Sequence, residues 1–239
     1  KREAAKIINE ELTVDDSLFL YHDVCTNGIG YVDLMFKTDS IAPEQIPYLG
    51  LLKSVLGYVD TENYTYGELF NEINANTGGI NCGVEVFDRA DSTEEFQAMF
   101  SVRGKALYTK MDFLFKMIGE ILNSSKLEDT KRLYEIVASV KSRAQVNLTG
   151  AGHSTAVLRA AAYSSPMAAF QDEMAGIGYY QFIEKLEKDF EQRKEETVEE
   201  LCKLMKKILR PENFMISYTG ERESLETVQK LAKAVKAGL

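Results

Sequence analysis

Apolar and polar residues alternate with a period of two along four early stretches of the chain and once more near its end. In Ser17–Val24 (SLFLYHDV), Leu18, Leu20 and His22 fall on one side, Phe19 and Tyr21 on the other. In Ile29–Lys37 (IGYVDLMFK), Val32, Leu34 and Phe36 form an apolar face, while Tyr31, Asp33 and Lys37 point outward with Met35 among them. Such alternation predicts half-buried antiparallel strands. The intervening Thr26-Asn27-Gly28 predicts a tight turn, and Asn-Gly is a strong hairpin signal. Ile80–Phe87 and Phe96–Arg103 alternate likewise on either side of DRADSTEE, a polar turn of hairpin length. Asn213–Tyr218 (NFMISY) reads as a fifth strand.

Between and beyond these stretches the period lengthens to that of a helix. Over residues 41–59, Ile46, Leu49, Leu52, Leu56 and Val59 recur at three- and four-residue steps behind an early proline. Thr65-Tyr-Gly-Glu68 is a capping box, which starts a second helix running to about Asn76. Thr77-Gly78-Gly79 ends it. From Gly104 onward the pattern is mostly helical: Ala106–Leu122, Glu128–Val146, Ser154–Tyr163, Pro166–Gly176, a long charged helix over Tyr179–Leu209, and Glu223–Ala237. The order β-β-α-α-β-β, a helical block and β-α predicts an α+β domain. Its sheet is mostly antiparallel, of about five strands, with helices packed mainly on one face. The strand NFMISY must return to that sheet across more than a hundred residues. Residues 1–239 read as one domain, with 1–16 as a linker or leading segment.

Composition narrows the class. The chain has 239 residues, 45% hydrophobic and 27% charged, an ordinary globular balance. It carries 28 Lys and Arg against 37 Asp and Glu, a net charge of −9, with no basic face. Nucleic-acid binding is disfavoured, and cationic peptides are the electrostatically preferred partners. Cys25, Cys82 and Cys202 are far apart and odd in number, which argues against a disulfide framework and for a cytoplasmic or other reducing compartment. Asn63, Asn123 and Asn147 head N-x-[ST] matches that read as chance. No apolar run is long enough to span a membrane. The first residues lack a signal-peptide core and an initiator Met, as in a piece of something longer.

Residues with intrinsic chemistry form no recognisable constellation. His22 and Cys25 sit three apart at a strand end and point to opposite faces, which disfavours a shared metal. His153, in TGAGHST, lies at a helix break and reads as a capping or loop-packing residue. Asn27-Gly-Ile-Gly30 precedes a strand and lacks the third glycine of a dinucleotide fingerprint. The Met and Phe residues of 96–118 follow core periodicity. EKLEKDFEQRKEETVEE reads as a solvated helix face laced with i, i+4 pairs.

The segment 26–87 resembles the insulinase-like (pitrilysin/presequence-protease) zinc metallopeptidases, and within them the non-catalytic associated domain of the presequence-protease subfamily. The residues that carry this are TNGIGYVDLMFK, PYLGLL, Asp60-Thr61 and the run from Tyr66 to Gly79. GHSTAVLRAAAYSSPMAAFQDEMAGIGYYQFIEKLEKDFE and NFMISYTGE extend it over most of the chain. The resemblance implies a parent enzyme that encloses unfolded peptides between homologous α+β domains and cuts them with zinc. Its H-x-x-E-H motif would fall on Leu51, Ser54 and Val55, which bind no metal, and a distal ligand position would fall near Glu120. Residues 41–59 contain no His and only Glu44 as a carboxylate. The expectation is therefore a domain without catalytic or metal-binding residues, with zinc belonging to the parent enzyme. Its expected partners are other domains of the same polypeptide and unfolded peptides, not nucleic acid or membrane. The alternative is a stand-alone, catalytically dead scaffold or partner subunit of an active homologue; a hydrolase built on His22, Cys25 or His153 is a third possibility. In the intact enzyme the wetter sheet face would line the chamber, with Asn81, Glu85, Gln97 and Arg103 as substrate neighbours.

Overall fold

A computed structural model describes residues 8–88, 92 and 95–239. The chain opens with an antiparallel pair, β1 (Ile8–Val14) and β2 (Ser17–Asp23). They are joined by Asp15 and Asp16 at φ of 44° and 64°, a left-handed turn that short acidic side chains tolerate. Residues 8–14 thus add a strand to the sheet where a leading segment was expected. In β1 the alternation is blurred by Glu10, but Leu12 packs against the core and Val14 is buried in it.

β3 (Ile29–Lys37) follows, then α1 (Ile46–Val55), α2 (Tyr66–Asn76), β4 (Ile80–Asp88) and β5 (Phe96–Leu107). The α2 capping box forms as expected: Thr65 Oγ1 accepts from the Glu68 amide at 3.3 Å, and Glu68 accepts from the Thr65 amide at 2.9 Å. Of the DRADSTEE turn, only Asp88, Ser92 and Glu95 lie among the described residues. The helical block comprises α3 (Met111–Ser124), α4 (Thr130–Gly150), α5 (Gly152–Ala161), α6 (Pro166–Ala175), α7 (Ile177–Lys188) and α8 (Phe190–Ile208). The chain closes with β6 (Phe214–Gly220) and α9 (Leu225–Ala237).

The strand order is β1-β2-β6-β3-β5-β4. β6 returns between β2 and β3, parallel to the first and antiparallel to the second. The sheet is therefore mixed, with six described strands, and Asn27-Gly28 is no hairpin turn between neighbours: it carries the chain across β6. Its local geometry is nonetheless as the residues demand, with φ of 55° and 82°.

Two further boundaries move for identifiable reasons. β5 runs through Gly104, where a Cβ would sit 2.7 Å from Leu114 Cδ1, so the glycine admits α3 against the strand and does not end it. The long charged helix divides at Asp189, with Phe190 buried beyond the break against the ring of Tyr134, centroids 5.3 Å apart.

One parity of strand positions makes the core. Phe19, Tyr21, Leu34, Phe36, Phe100, Val102, Ile216 and Tyr218 are all fully buried. They pack in one cluster with Leu49, Leu52 and Val55 of α1, Leu114 and Ile118 of α3, and Val228 and Ala232 of α9. No strand residue of the opposite parity enters that cluster. The core cluster and its helices thus lie on one face; on the other, Met35, Met99 and Ser101 are buried while Tyr31 is exposed.

Candidate functional site

The open face is built in rows by the strand register. One row runs Leu20, Ser217, Asp33, Arg103, Asn81 from β2 to β4, and the next runs His22, Thr219, Tyr31, Lys105. A cleft of about 480 Å³ lies over these rows, closed at one side by Gly78 and Gly79 between α2 and β4. Gly78 donates its amide to the Lys105 carbonyl at 2.7 Å. A Cβ there would meet Lys105 Cγ at 2.6 Å, and Gly79 holds φ at 102°, so this rim depends on both glycines.

Charge in the cleft is organised around Asp33. Arg103 Nε donates to Asp33 Oδ2 at 2.8 Å, and Arg103 Nη1 lies 3.1 Å from Glu85 Oε1. Asp33 Oδ1 is buried without a hydrogen-bond partner, as is the hydroxyl of Ser101. Burial raises the Asp33 pKa above the usual carboxylate range, against the opposing hydrogen bond and charge of Arg103. The floor therefore holds an acceptor in want of a donor beside a half-exposed guanidinium. Tyr31 adds an exposed aromatic ring and Lys105 a second cation. Such a surface offers hydrogen-bond donors and acceptors of both charges.

Of the expected substrate neighbours, Asn81 and Arg103 line the cleft and Glu85 touches it through Arg103. Gln97 does not join them. It lies six residues from Arg103 along β5, about 20 Å at strand rise, and donates to Asp39 Oδ1 at 2.7 Å. Lys105, Ser217 and Thr219 were not singled out from the sequence. Lys105 was hidden because Gly104 read as the end of a strand, and the β6 residues because only the crossover places them beside β3.

Two of the isolated reactive residues, His22 and Cys25, have structural partners. His22 bridges three strands, its Nδ1 2.6 Å from Asn9 Oδ1 and its Nε2 3.1 Å from Ser217 Oγ. That chain has the connectivity of a nucleophile, base and orienter. Ser217, however, lies inside a strand paired on both sides, where its backbone is committed to the ladder. The arrangement ties β1, β2 and β6 together. Cys25 is exposed, with Sγ 3.9 Å from Asn27 Oδ1. His153 is exposed in the first turn of α5, a helix where a break was expected. Burial pushes the Cys82 thiol up to about 12 and raises that of half-buried Cys202, so neither is an activated thiolate.

The positions aligned by resemblance with a zinc motif do not fit a metal. Leu51 and Val55 are fully buried in the core, and Ser54 Oγ donates to the Gly50 carbonyl at 3.4 Å. Glu120 is spent on the α1–α2 connection, accepting from the Asn63 amide at 3.1 Å and from Asn63 Nδ2 at 3.0 and 3.2 Å. Burial pushes its pKa up, but the hydrogen bonds from Thr61 and Asn63 outweigh it and hold the carboxylate low. Among the described residues no group of three or more His, Cys, Asp or Glu is placed to hold a metal ion. No helix among them is long and apolar enough to cross a membrane.

A six-stranded mixed sheet with helices on one face and a polar cleft on the other defines an α+β domain of the kind the sequence resemblance implied. The chain belongs to the family of associated domains of peptidase family M16, subfamily C, whose model matches residues 1–186. It is 34% identical over 97% of its length to Protein HypA of Clostridium perfringens, of which it spans 24%. It is 28% identical over 87% of its length to the mitochondrial presequence protease of Yarrowia lipolytica, of which it spans 22%. With presequence protease 1, chloroplastic/mitochondrial, of Arabidopsis thaliana the identity is 26% over 88% of the chain and 19% of that protein. The chain thus spans about a quarter or less of these relatives. Its fold matches the crystal structure of a peptidase M16 inactive domain from Pseudomonas fluorescens, with a TM-score of 0.63 and 15% identity over 98% of this chain and 51% of that one.

Proposed function

We propose that this chain is a non-catalytic domain of a presequence-protease-like zinc metallopeptidase and forms part of the wall of a peptide-enclosing chamber. The parent enzyme hydrolyses unfolded peptides at a zinc site on another part of the polypeptide, and the open sheet face of this domain meets the substrate. The observation that carries the reading is the cleft over Asp33 and Arg103. It is a polar, mixed-charge surface on the uncovered face of a sheet, in a family associated with peptidases. Peptide carbonyls or carboxylates accept from the half-exposed Arg103 and from Lys105. The net charge of −9 favours basic peptides. The relatives carry the matching segment within much longer single chains, which favours a domain over a separate partner subunit. Three free cysteines support a reducing compartment.

The test is photo-crosslinking in the intact polypeptide, with a benzophenone amino acid in place of Asn81 and an unfolded basic peptide as probe. The control places it at Lys230, exposed on α9. The expected result is peptide captured from position 81 and not from 230. Equal capture from both, or none from 81, overturns the chamber reading.

A further inference from the structure

A second cavity, of about 240 Å³, lies among the helices, on the other side of the sheet from the cleft. Lys53 and Ser54 of α1, Arg143 and Asn147 of α4, and Tyr179 of α7 bring their polar groups to it. Neither Lys53 nor Arg143 has an ion pair or hydrogen bond among the described residues. Some cations on the surrounding helices are paired, Lys141 with Glu187, Arg159 with Asp172 and Arg193 with Glu196, but no acidic side chain among the described residues lines this cavity. Two unpaired cations converging on one cavity is contrary to the trend of a chain with net charge −9.

The nearby acidic group, Asp172, is fully engaged. Its Oδ1 accepts from the Ile177 amide at 3.0 Å, and its Oδ2 accepts from Gly178 at 3.2 Å and Arg159 at 2.6 Å. Tyr179 supplies an independent sign. It is 5% exposed, and its hydroxyl is buried with no hydrogen-bond partner. Burial raises its pKa, while the nearby Ser54 hydroxyl, too far for a well-formed hydrogen bond, and the Arg143 charge pull the other way; all three residues line the cavity. A buried hydroxyl left unpaired is costly and rare in native folds. So is a desolvated ammonium without a counter-ion, and burial holds Lys53 below the usual ammonium range.

We propose that this cavity binds a small oxyanion, a phosphate or carboxylate group. Lys53 and Arg143 hold its charge, and the Tyr179 hydroxyl donates to one oxygen. Asn147 offers a further donor. The cavity is smaller than the roughly 300–1,000 Å³ of sites for larger organic ligands, so the occupant is a free small anion. Ser54 stands where resemblance puts the glutamate of a zinc motif. The helix that carries such motifs would here present the Lys53 ammonium to an anion site on one side and apolar side chains to the core on the other. This inference is independent of the chamber reading.

Thermal unfolding of the full chain, titrated at pH 7 with sodium phosphate or sodium succinate at ionic strength held constant with sodium chloride, tests it. The expected result is a saturable rise in Tm with at least one anion, half-complete on the order of 1 mM for a part-exposed site. The stronger of the two arms identifies the phosphate or the carboxylate chemistry. Arg143→Gln, at an exposed position, and Lys53→Met, which keeps the apolar stem, each weaken the response about tenfold, the loss of one charge-assisted hydrogen bond. Tyr179→Phe keeps the ring packing and weakens it less. No anion-specific rise, or a rise unchanged in both charge variants, overturns the proposal.

Discussion

The Glu221 carboxylate accepts the backbone amide of Thr26 at 2.9 Å. Its two oxygens also take the amides of Asn27 at 3.0 Å and Gly28 at 3.4 Å, with Tyr108 OH donating to the same group. The turn of TNGIG, which carries much of the sequence resemblance, is thus a ring of backbone donors filled by a side chain of the same domain. It joins the β2–β3 connection to the residue that follows β6.

The acid stability of the domain follows from that contact. The Tyr108 hydroxyl and the turn amides hold Glu221 down to about 2, against roughly 4.3 for an unfolded glutamate. A depressed carboxylate contributes stability that is complete above the unfolded value and is lost as pH falls through the folded one. Urea midpoints of the wild type and Glu221→Gln are therefore expected to differ most above pH 5 and to converge between about pH 4 and pH 2. A gap that stays constant down to pH 2 contradicts the assignment.

Asp33 is expected to behave in the opposite sense. Burial raises its folded pKa, so its ionised form is disfavoured. The contribution is intact below the unfolded value near 3.9 and is lost as pH rises through the folded one. Asp33→Asn should gain stability relative to the wild type as pH rises from about 3 toward 7. Arg103→Met removes the guanidinium that offsets this burial. It should destabilise by ~1 kcal/mol at pH 7, the modest figure reflecting the half-exposed position of Arg103. Paired pH titrations of the unfolding midpoint for the two variants check both signs.

At Val55 the expectation concerns metal and packing together. The side chain is fully buried in the core. Val55→His buries an imidazole without a partner and should cost on the order of 1–3 kcal/mol. With leucine and serine at positions 51 and 54, zinc analysis of the purified variant is expected to find no stoichiometric metal. A neutral effect on Tm, or one equivalent of bound zinc, contradicts this.

How far the sequence could be read shows in these residues. Helices with a wide apolar stripe were legible because burial repeats along them: Leu49, Leu52 and Val55 are at most 1% exposed, as α1 requires. The capping box at Thr65 was legible because it is a local hydrogen-bond pattern. The pairing of strands was not. Asn27-Gly28 fixes a turn, but whether the flanking strands become neighbours is decided by β6, almost two hundred residues away. The Asp15–Asp16 turn carried no glycine to announce it, so β1 went unread. The cleft was half legible for the same reason. Asn81 and Arg103 follow from alternation within their strands, whereas Ser217 and Thr219 reach the site only through the crossover. The oxyanion cavity lies where several helices converge and leaves no local pattern at all.

The last prediction separates packing from helix propensity at two glycines. Gly50 lies in α1, where an added Cβ would stand 2.6 Å from the Met174 carbonyl oxygen and 2.7 Å from Tyr179 Cε2. Gly119 lies in α3, where a Cβ would meet nothing within 4 Å. Replacing either by alanine gains roughly 0.5–1 kcal/mol of helix propensity. At Gly119 nothing opposes that gain, and Gly119→Ala should stabilise by about that amount. At Gly50 the methyl meets a backbone atom, which moves only with the whole of α6, and overpacking of that kind costs about 1–3 kcal/mol. The clash should win, so Gly50→Ala is expected to lower the unfolding free energy by about 1–2 kcal/mol. Because Tyr179 is the residue displaced, the same substitution should also weaken phosphate or succinate binding at the cavity beside it, whereas Gly119→Ala leaves that response unchanged. A stabilising Gly50→Ala would mean that α1 and α6 are not in the close contact described.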